Sequence, residues 1–317
     1  MEPRTDLSPS RRLRPLQFPA LIFTIFWILA FVLWRKTGNL FFIFDMGYIG
    51  TSLSVGIGLY ELLPRHKKPV GRRLAQFLVG VYMVGFLGLI VLQNMQLEGL
   101  LFYVFTGIFS GAVIHYSIAK IFGPVIFGRG FCAWACWTAM VIDLLPYDRS
   151  KGWVPGPWPW LRYAHFLLSV GLVASLVILL GYRPQHWTPL WWLLAGNLLY
   201  YAAAIPMAIL LKDNRAFCKY LCPAAVLMKL GSRFSPLKIG GVRERCDSCM
   251  ACVKMCPMDI RIPDYVQAGE RVLSTECILC QTCASVCPTS ALSVTWGFDV
   301  GWTERLQRRP SDSAVKQ

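Results

Sequence analysis

Eight of the twelve cysteines of this chain fall between residues 246 and 287, in two copies of one pattern. The first reads Cys246-x2-Cys249-x2-Cys252-x3-Cys256-Pro257, and the second Cys277-x2-Cys280-x2-Cys283-x3-Cys287-Pro288. Three thiolates at three-residue spacing can wrap one iron-sulfur cube, while the fourth, displaced by one residue and followed by proline, serves the other cube. The spacing therefore predicts two [4Fe-4S] clusters, cluster one on Cys246, Cys249, Cys252 and Cys287, and cluster two on Cys277, Cys280, Cys283 and Cys256. Structural zinc is the competing use of such thiols, but zinc sites pair two C-x2-C arms across a longer loop, without a third cysteine at the same spacing. Disulfides need an oxidising compartment, and the topology derived below places this stretch in the cytoplasm. A pair of clusters this close together has one common use, the passing of single electrons.

The other four cysteines form a second repeat. Arg129-Gly-Phe131-Cys132-Ala-Trp134-Ala-Cys136 and Arg215-Ala-Phe217-Cys218-Lys-Tyr220-Leu-Cys222 match in Arg, Phe, both Cys and the aromatic between them, at a constant offset of 86 residues. This pattern reads as an internal duplication of a membrane span followed by a C-x3-C segment. On a helix, residues four apart share a face, so each segment is expected to present both thiols to one side. Two such pairs facing each other at the cytoplasmic boundary would make a four-thiol redox or metal site. The competing readings are small buried residues in a reducing compartment, or redox-active pairs without metal.

The elements that must position these thiols are apolar. The 317 residues are 55% hydrophobic and 15% charged, far richer in apolar side chains than a soluble domain. Six spans are expected: Phe18 to Trp34, Leu40 to Leu63, Leu74 to Gln93, Leu100 to Phe122, Leu161 to Leu180 and Pro189 to Leu211, each long enough for a bilayer. The net charge of +15 is a topology signal, because the positive residues flank apolar runs instead of covering a polar domain, which argues against nucleic acid as a partner. Only Arg35, Lys36 and Arg183 fall in the expected outer loops, so both termini are placed in the cytoplasm. Asn94 to Gly99 is read as an outer loop, Trp187, Trp191 and Trp192 as an outer aromatic belt, and Gly107 and Gly111 as helix-packing positions. Arg11, Arg12 and Arg14 precede the first run. Ser10-Arg11-Arg12-Leu13 faintly resembles a twin-arginine signal, but no small-x-small cleavage site follows, and an uncleaved first helix is the better reading.

Asp45, Glu61, His115, Asp143 and His165 lie within or beside spans, where a charge is costly and so often functional. They are the candidates for a quinol or proton site, since quinol oxidation releases protons together with electrons. Interfacial anchoring is the plainer reading of each, and a haem held by His115 and His165 has no supporting pattern. No glycine-rich dinucleotide fingerprint and no nucleophile constellation is present, which argues against a nicotinamide enzyme or a hydrolase.

The combination of six spans, two Phe-Cys-x3-Cys segments and a C-terminal two-cluster run resembles the polyferredoxin membrane family. That family includes the quinol-oxidising ferredoxin subunit of periplasmic nitrate reductase systems, the methylamine-utilisation ferredoxin-type membrane protein, the membrane regulator of nitrous oxide reduction and a copper-handling factor of cytochrome oxidase assembly. The resemblance covers roughly Leu40 to Val294. In the family both short segments usually read C-x3-C-P, whereas this chain keeps Pro223 but has Trp137 at the first. The resemblance implies electron transfer between a quinone pool and a redox partner that is itself an iron-sulfur, cytochrome or copper protein.

The expected architecture is an α-helical transmembrane bundle of about six spans with a small C-terminal α+β ferredoxin domain of the bacterial two-[4Fe-4S] type. Its parts are a cytoplasmic basic N-terminus (1–17), the bundle (18–235), the ferredoxin domain (239–294) and a polar C-terminal tail (295–317). The expected setting is a bacterial cytoplasmic membrane, with lipid, a quinone and another redox protein as partners. Two alternatives remain, a copper reductase or assembly factor using Cys132, Cys136, Cys218 and Cys222 as soft ligands, and a redox regulator using its clusters as signal.

Overall fold

The structure, a computed structural model, describes residues 16–108, 111–149 and 151–309. Arg11, Arg12 and Arg14 lie outside them. Five helices among the described residues are long and apolar enough to cross a bilayer: Gln17–Thr37 (α1), Phe41–Leu62 (α2), Arg65–Ile90, Trp158–Ile178 and Thr188–Leu211. The third is α-helical over Lys68–Val81 (α3) and π-helical over Tyr82–Ile90. The chain is a membrane protein.

The fourth expected span is not one helix. Leu97–Thr106 (α4) ends where Gly107 adopts a left-handed conformation (φ 70°), and a second helix, Gly111–Ser117 (α5), continues as a π-helical turn over Ile118–Phe122. A left-handed residue ends a helix by turning its own N–H back onto the last carbonyls, a role glycine fills without steric cost. Gly107 therefore serves as a cap and meets nothing at its Cβ position, in place of the helix contact expected of it.

The chain divides into two compact units, Met1–Val79 and Gly80–Gln317. In the first, glycines bring helices together: Gly47 and Gly50 of α2 face Trp27 and Phe26 of α1, and Gly56 of α2 faces Ala75 of α3. The Trp27 indole donates to the Thr51 hydroxyl at 3.2 Å across the α1–α2 contact. Close approach over small residues is the usual basis of helix association in lipid.

The second unit holds the cysteines. After α5 come the short helices Pro124–Phe127 (α6), Gly130–Trp134 (α7) and Trp137–Ile142 (α8), then the spans Leu161–Ile178 (α9) and Thr188–Leu211 (α10), then Ala216–Tyr220 (α11) and Ala224–Ser232 (α12). Large apolar side chains stay exposed on both spans, among them Leu167 and Leu168 on α9 and Leu198 and Leu199 on α10, as a lipid-facing surface requires. Trp187 and Trp191 are exposed. Trp192 instead packs on Phe102, with ring centroids 4.9 Å apart, and donates to Tyr182.

The expected outer loop, Asn94 to Gly99, is packed into the protein instead of standing open. Asn94, Met95, Gln96 and Leu97 are buried, and the Met95 carbonyl accepts from Lys120 at 3.3 Å. A loop without Lys or Arg is equally compatible with an outer surface and with a protein interior.

The ferredoxin part pairs Leu237–Gly241 (β1) with Leu292–Trp296 (β2) in an antiparallel ribbon, Leu237 opposite Trp296 and Gly241 opposite Leu292. Between the strands lie the helical turns Ala251–Lys254 (α13), Ile262–Gln267 (α14) and Thr282–Val286 (α15). Residues 297–309 form a strap: Gln307 donates to Asp259, Trp153 donates to Gln307, Arg309 donates to Trp153, and the Arg309 guanidinium reaches the Leu211 carbonyl at 2.7 Å.

Candidate iron-sulfur site

The two four-cysteine motifs build two copies of one backbone, 31 residues apart. Ser248 and Leu279, Met250 and Gln281, and Asp259 and Ser290 are matched pairs, and all six are non-glycine residues at positive φ, between 49° and 60°. Such conformations cost free energy and persist where surrounding structure demands them. The repeat extends to sulfur: the Ile260 amide donates to Cys256 Sγ at 3.4 Å, and the Ala291 amide to Cys287 Sγ at 3.3 Å.

Each copy bounds a hollow. One is lined by Cys246, Cys249, Cys252 and Cys287; the other by Cys256, Cys277, Cys280 and Cys283. Each motif thus lends its fourth cysteine to the other hollow, and four thiols per hollow fit a [4Fe-4S] cube. Burial pushes the Cys252 and Cys277 thiols up to about 12 and raises Cys256 and Cys283 as well. Bound metal must therefore displace protons from these groups. Cys287 runs the other way, because hydrogen bonds from Thr289 and nearby amides outweigh the effect of its burial.

The second repeat also has one backbone. α7 ends at Trp134, and both Ala135 and Cys136 donate to the Phe131 carbonyl at 3.0 Å; Leu221 and Cys222 both donate to the Phe217 carbonyl at 2.9 Å. Cys136, in extended conformation, caps α8. The two cysteines of each pair therefore straddle a break instead of sharing a helix face. The break forms at the first segment with Trp137 as it does at the second with Pro223, so the carbonyl of Phe131 or Phe217 defines it and the proline does not.

The four thiols share one neighbourhood: Cys136 interacts electrostatically with Cys132, and both Cys218 and Cys222 with each of that pair. They lie beside α10 instead of past its end. Phe217 and Cys218 pack on Ala204, with Tyr200 and Cys222 around them, and the Trp137 indole donates to Asn197 at 2.9 Å. Ala204 is seven residues, about 10 Å, short of the end of α10. Buried cations surround the group: Lys120 stands over the rings of Tyr116 and Trp137 at 4.2 and 4.6 Å, and Arg215 donates to the Cys132 carbonyl at 3.0 Å. Among the described residues, no three His, Cys, Asp or Glu side chains converge as a single metal ion requires.

Three buried ion-pair groups tie the cysteine segments together. Glu276, next to Cys277, receives Arg129, Arg162 and Lys229, the last two at 2.7 and 2.6 Å. Burial opposes ionisation of Glu276, but the three cations hold its carboxyl well below the usual range. Lys219, between Cys218 and Cys222, pairs with Asp213 at 2.6 Å and with Asp259, three residues beyond Cys256. Arg215 pairs with Asp143 at 2.6 Å. Trp134, between Cys132 and Cys136, donates to the carbonyl of Leu279, beside Cys280, at 3.1 Å. Both C-x3-C segments thus touch the loops that line the second hollow, while Cys249 of the first hollow is exposed.

The polar candidates are dispersed. Asp45 is fully buried on α2, and Glu61 pairs with Lys68 at 3.6 Å, both in the first unit. Asp143 is taken by Arg215. The His115 ring meets the Gly111 carbonyl at 2.8 Å, and His165 meets the Leu221 carbonyl, inside the second C-x3-C segment, at 2.8 Å. Glu98, Tyr116 and Lys120 were missed by sequence reasoning, because Glu98 sits at the edge of the stretch assigned outside and Lys120 at the end of an apolar run.

Residues 245–292 match the family of 4Fe-4S dicluster domains. Residues 117–154 and 197–241, the two C-x3-C segments with their preceding helices, match the family of 4Fe-4S binding domains. An uncharacterized protein of Methanocaldococcus jannaschii is 30% identical over 188 residues, 57% of this chain and 70% of the relative. The ferredoxin-type protein NapH of Escherichia coli is 26% identical over 74% of this chain and 92% of its own length. The methylamine utilization ferredoxin-type protein MauN of Methylorubrum extorquens is 24% identical over 67% and 82%. No solved structure matches the chain.

Proposed function

This chain belongs to the polyferredoxin membrane family that includes the NapH and MauN ferredoxin-type proteins, and from that premise we propose a route for its electrons. It is an iron-sulfur electron-transfer protein. The proposed route joins a quinone in the bundle, the four thiols of Cys132, Cys136, Cys218 and Cys222, the site of Cys256, Cys277, Cys280 and Cys283, the site of Cys246, Cys249, Cys252 and Cys287, and a separate redox protein, in that order. When bound, the clusters supply one-electron carriers.

The observation that carries the order is the bond from Trp134 to Leu279, reinforced by Arg129 to Glu276 and Lys219 to Asp259. These contacts fix the second hollow against the C-x3-C segments and leave the first, with exposed Cys249, facing outward. The match of both C-x3-C segments to 4Fe-4S binding domains, and the buried Lys120, Arg129 and Arg215 around them, favour an anionic metal centre there over idle thiols. Fixed positive charge stabilises thiolates and the clusters they hold. The asymmetry of Lys and Arg supports an inner-membrane setting with both termini in the cytoplasm.

Anaerobic EPR on purified protein given a reduced quinol analogue tests the route. Replacing Cys249 by Ser should spare quinol-driven reduction of the second site and stop delivery to a soluble acceptor. Unimpaired delivery in that variant would refute the order.

A further inference from the structure

Around the start of α4 the bundle buries polar atoms that it does not satisfy. Tyr116 and Gln96 are each 2% exposed, and the Tyr116 hydroxyl, both amide atoms of Gln96 and Glu98 Oε2 have no hydrogen-bond partner. Glu98 Oε1 accepts from the Ser169 hydroxyl at 2.8 Å. Buried polar groups are almost always paired, and at membrane depth a carboxylate, a phenol and an amide left open together mark a place where a polar ligand completes them.

The groups share one locality. Tyr116 and Tyr200 both interact electrostatically with Glu98, and the Tyr200 hydroxyl hydrogen-bonds its carboxylate as well. The Gln96 amide lies against Gly196, one helical turn from Tyr200 on α10, where a Cβ would collide with it. The same locality adjoins the thiols, since Tyr116 also interacts with Cys132 and Cys222. Ser169 is one turn, about 5.4 Å, beyond His165, whose ring touches Leu221 between Cys218 and Cys222.

Resting on the reading that this chain exchanges electrons with a quinone, we propose that Gln96, Glu98 and Tyr116 form the head-group site for a quinol. The chemistry fits both redox states of the ligand. A hydroquinone presents two O–H donors, which the Glu98 carboxylate accepts; a quinone presents two C=O acceptors, to which the Tyr116 hydroxyl and the Gln96 amide donate. On oxidation the two O–H bonds break and two C=O bonds form. Two electrons leave, one to each of two oxidised [4Fe-4S] clusters, and Glu98 takes the two protons in turn, releasing the first to water before the second arrives. None of Asp45, Glu61, His115, Asp143 or His165 is needed as the acceptor.

The test is binding of a fluorescent hydroxyquinoline N-oxide, a quinol analogue, to the cluster-loaded protein in nanodiscs, followed by quenching. Tyr116→Phe and Gln96→Leu should each weaken binding about tenfold. Glu98→Gln should bind within about threefold of wild type yet slow quinol-driven cluster reduction by about a hundredfold or more. Reduction of the clusters by dithionite, unchanged in all three, shows that the variants fold; Tyr116→Phe, which removes one oxygen atom, carries the test alone if Gln96→Leu loses its clusters. Wild-type binding that every variant matches would overturn this site and leave the quinone reading standing. A wild-type protein that neither binds the analogue nor accepts electrons from any quinol would overturn both.

Discussion

In the first cysteine hollow Cys249 is exposed, and Cys287 is lowered by hydrogen bonds from Thr289 and the Ala291 amide; in the second, Cys280 and Cys283 are buried, and Glu276 and Leu279 are bonded into the membrane bundle. Both hollows are nonetheless made from one backbone, down to the positive φ of Ser248 and Leu279. The comparison separates two tasks. A repeated motif makes two equivalent sites, and in the proposed route their surroundings make one of them the input and the other the output. Potential follows surroundings as well, through hydrogen bonds to sulfur and solvent exposure.

The largest effect should come from removing a ligand on each side of this difference. Cys280→Ser should abolish quinol-driven reduction of the remaining cluster, whereas Cys249→Ser should leave the remaining cluster reducible, as read by anaerobic EPR. Equal behaviour of the two variants would erase the distinction between input and output.

Next in size is Glu276→Gln, which leaves Arg129, Arg162 and Lys229 buried without their carboxylate. Breaking a buried ion group in this way costs about 3 to 5 kcal/mol. Thermal loss of visible cluster absorbance should move down strongly, with the second cluster lost first. A matched change such as Asp264→Asn, at an exposed pair with Arg261, should move it little.

The pH dependence of that difference is smaller but has a definite sign. A carboxyl whose folded value lies below its unfolded one stabilises fully above the unfolded value, about 4.3 for Glu, and loses the contribution only as pH falls through the folded value. Glu276 is held well below the usual range. The stability gap between wild type and Glu276→Gln should therefore stay constant from about pH 7 to about pH 5. A gap that closes in that interval would show that Glu276 is not neutralised by its three cations.

The smallest effect should follow Trp134→Phe, which removes one hydrogen bond to Leu279, worth about 0.5 to 1.5 kcal/mol. Hydrogen exchange at the Cys277 to Cys283 loop should rise slightly, and exchange at the Cys246 to Cys252 loop should not change.

The repeated cysteines were legible in the sequence because iron-sulfur ligation dictates spacing residue by residue. The spans were legible because lipid demands long apolar runs. What escaped is tertiary. Glu276 and Arg129 are 147 positions apart, and nothing local in either signals the other. Asn94 to Gly99 reads as a loop because it lacks Lys and Arg, a pattern that burial also produces, and nothing local in it marks Glu98 as part of a buried polar group. The C-x3-C pairs were placed on helix faces by their four-residue spacing, yet Phe131 and Phe217 end the helices between the cysteines.

In the proposed route the four bundle thiols hold a working centre that feeds the second hollow. Iron content and anaerobic EPR of the intact protein and of Cys218→Ser, each given quinol and then dithionite, test it most directly. The intact protein should hold iron beyond the about eight atoms of two cubes. In the variant iron should fall to about eight, with clusters that dithionite reduces and quinol does not. A variant with unchanged iron whose clusters quinol reduces as well as in the intact protein would contradict it.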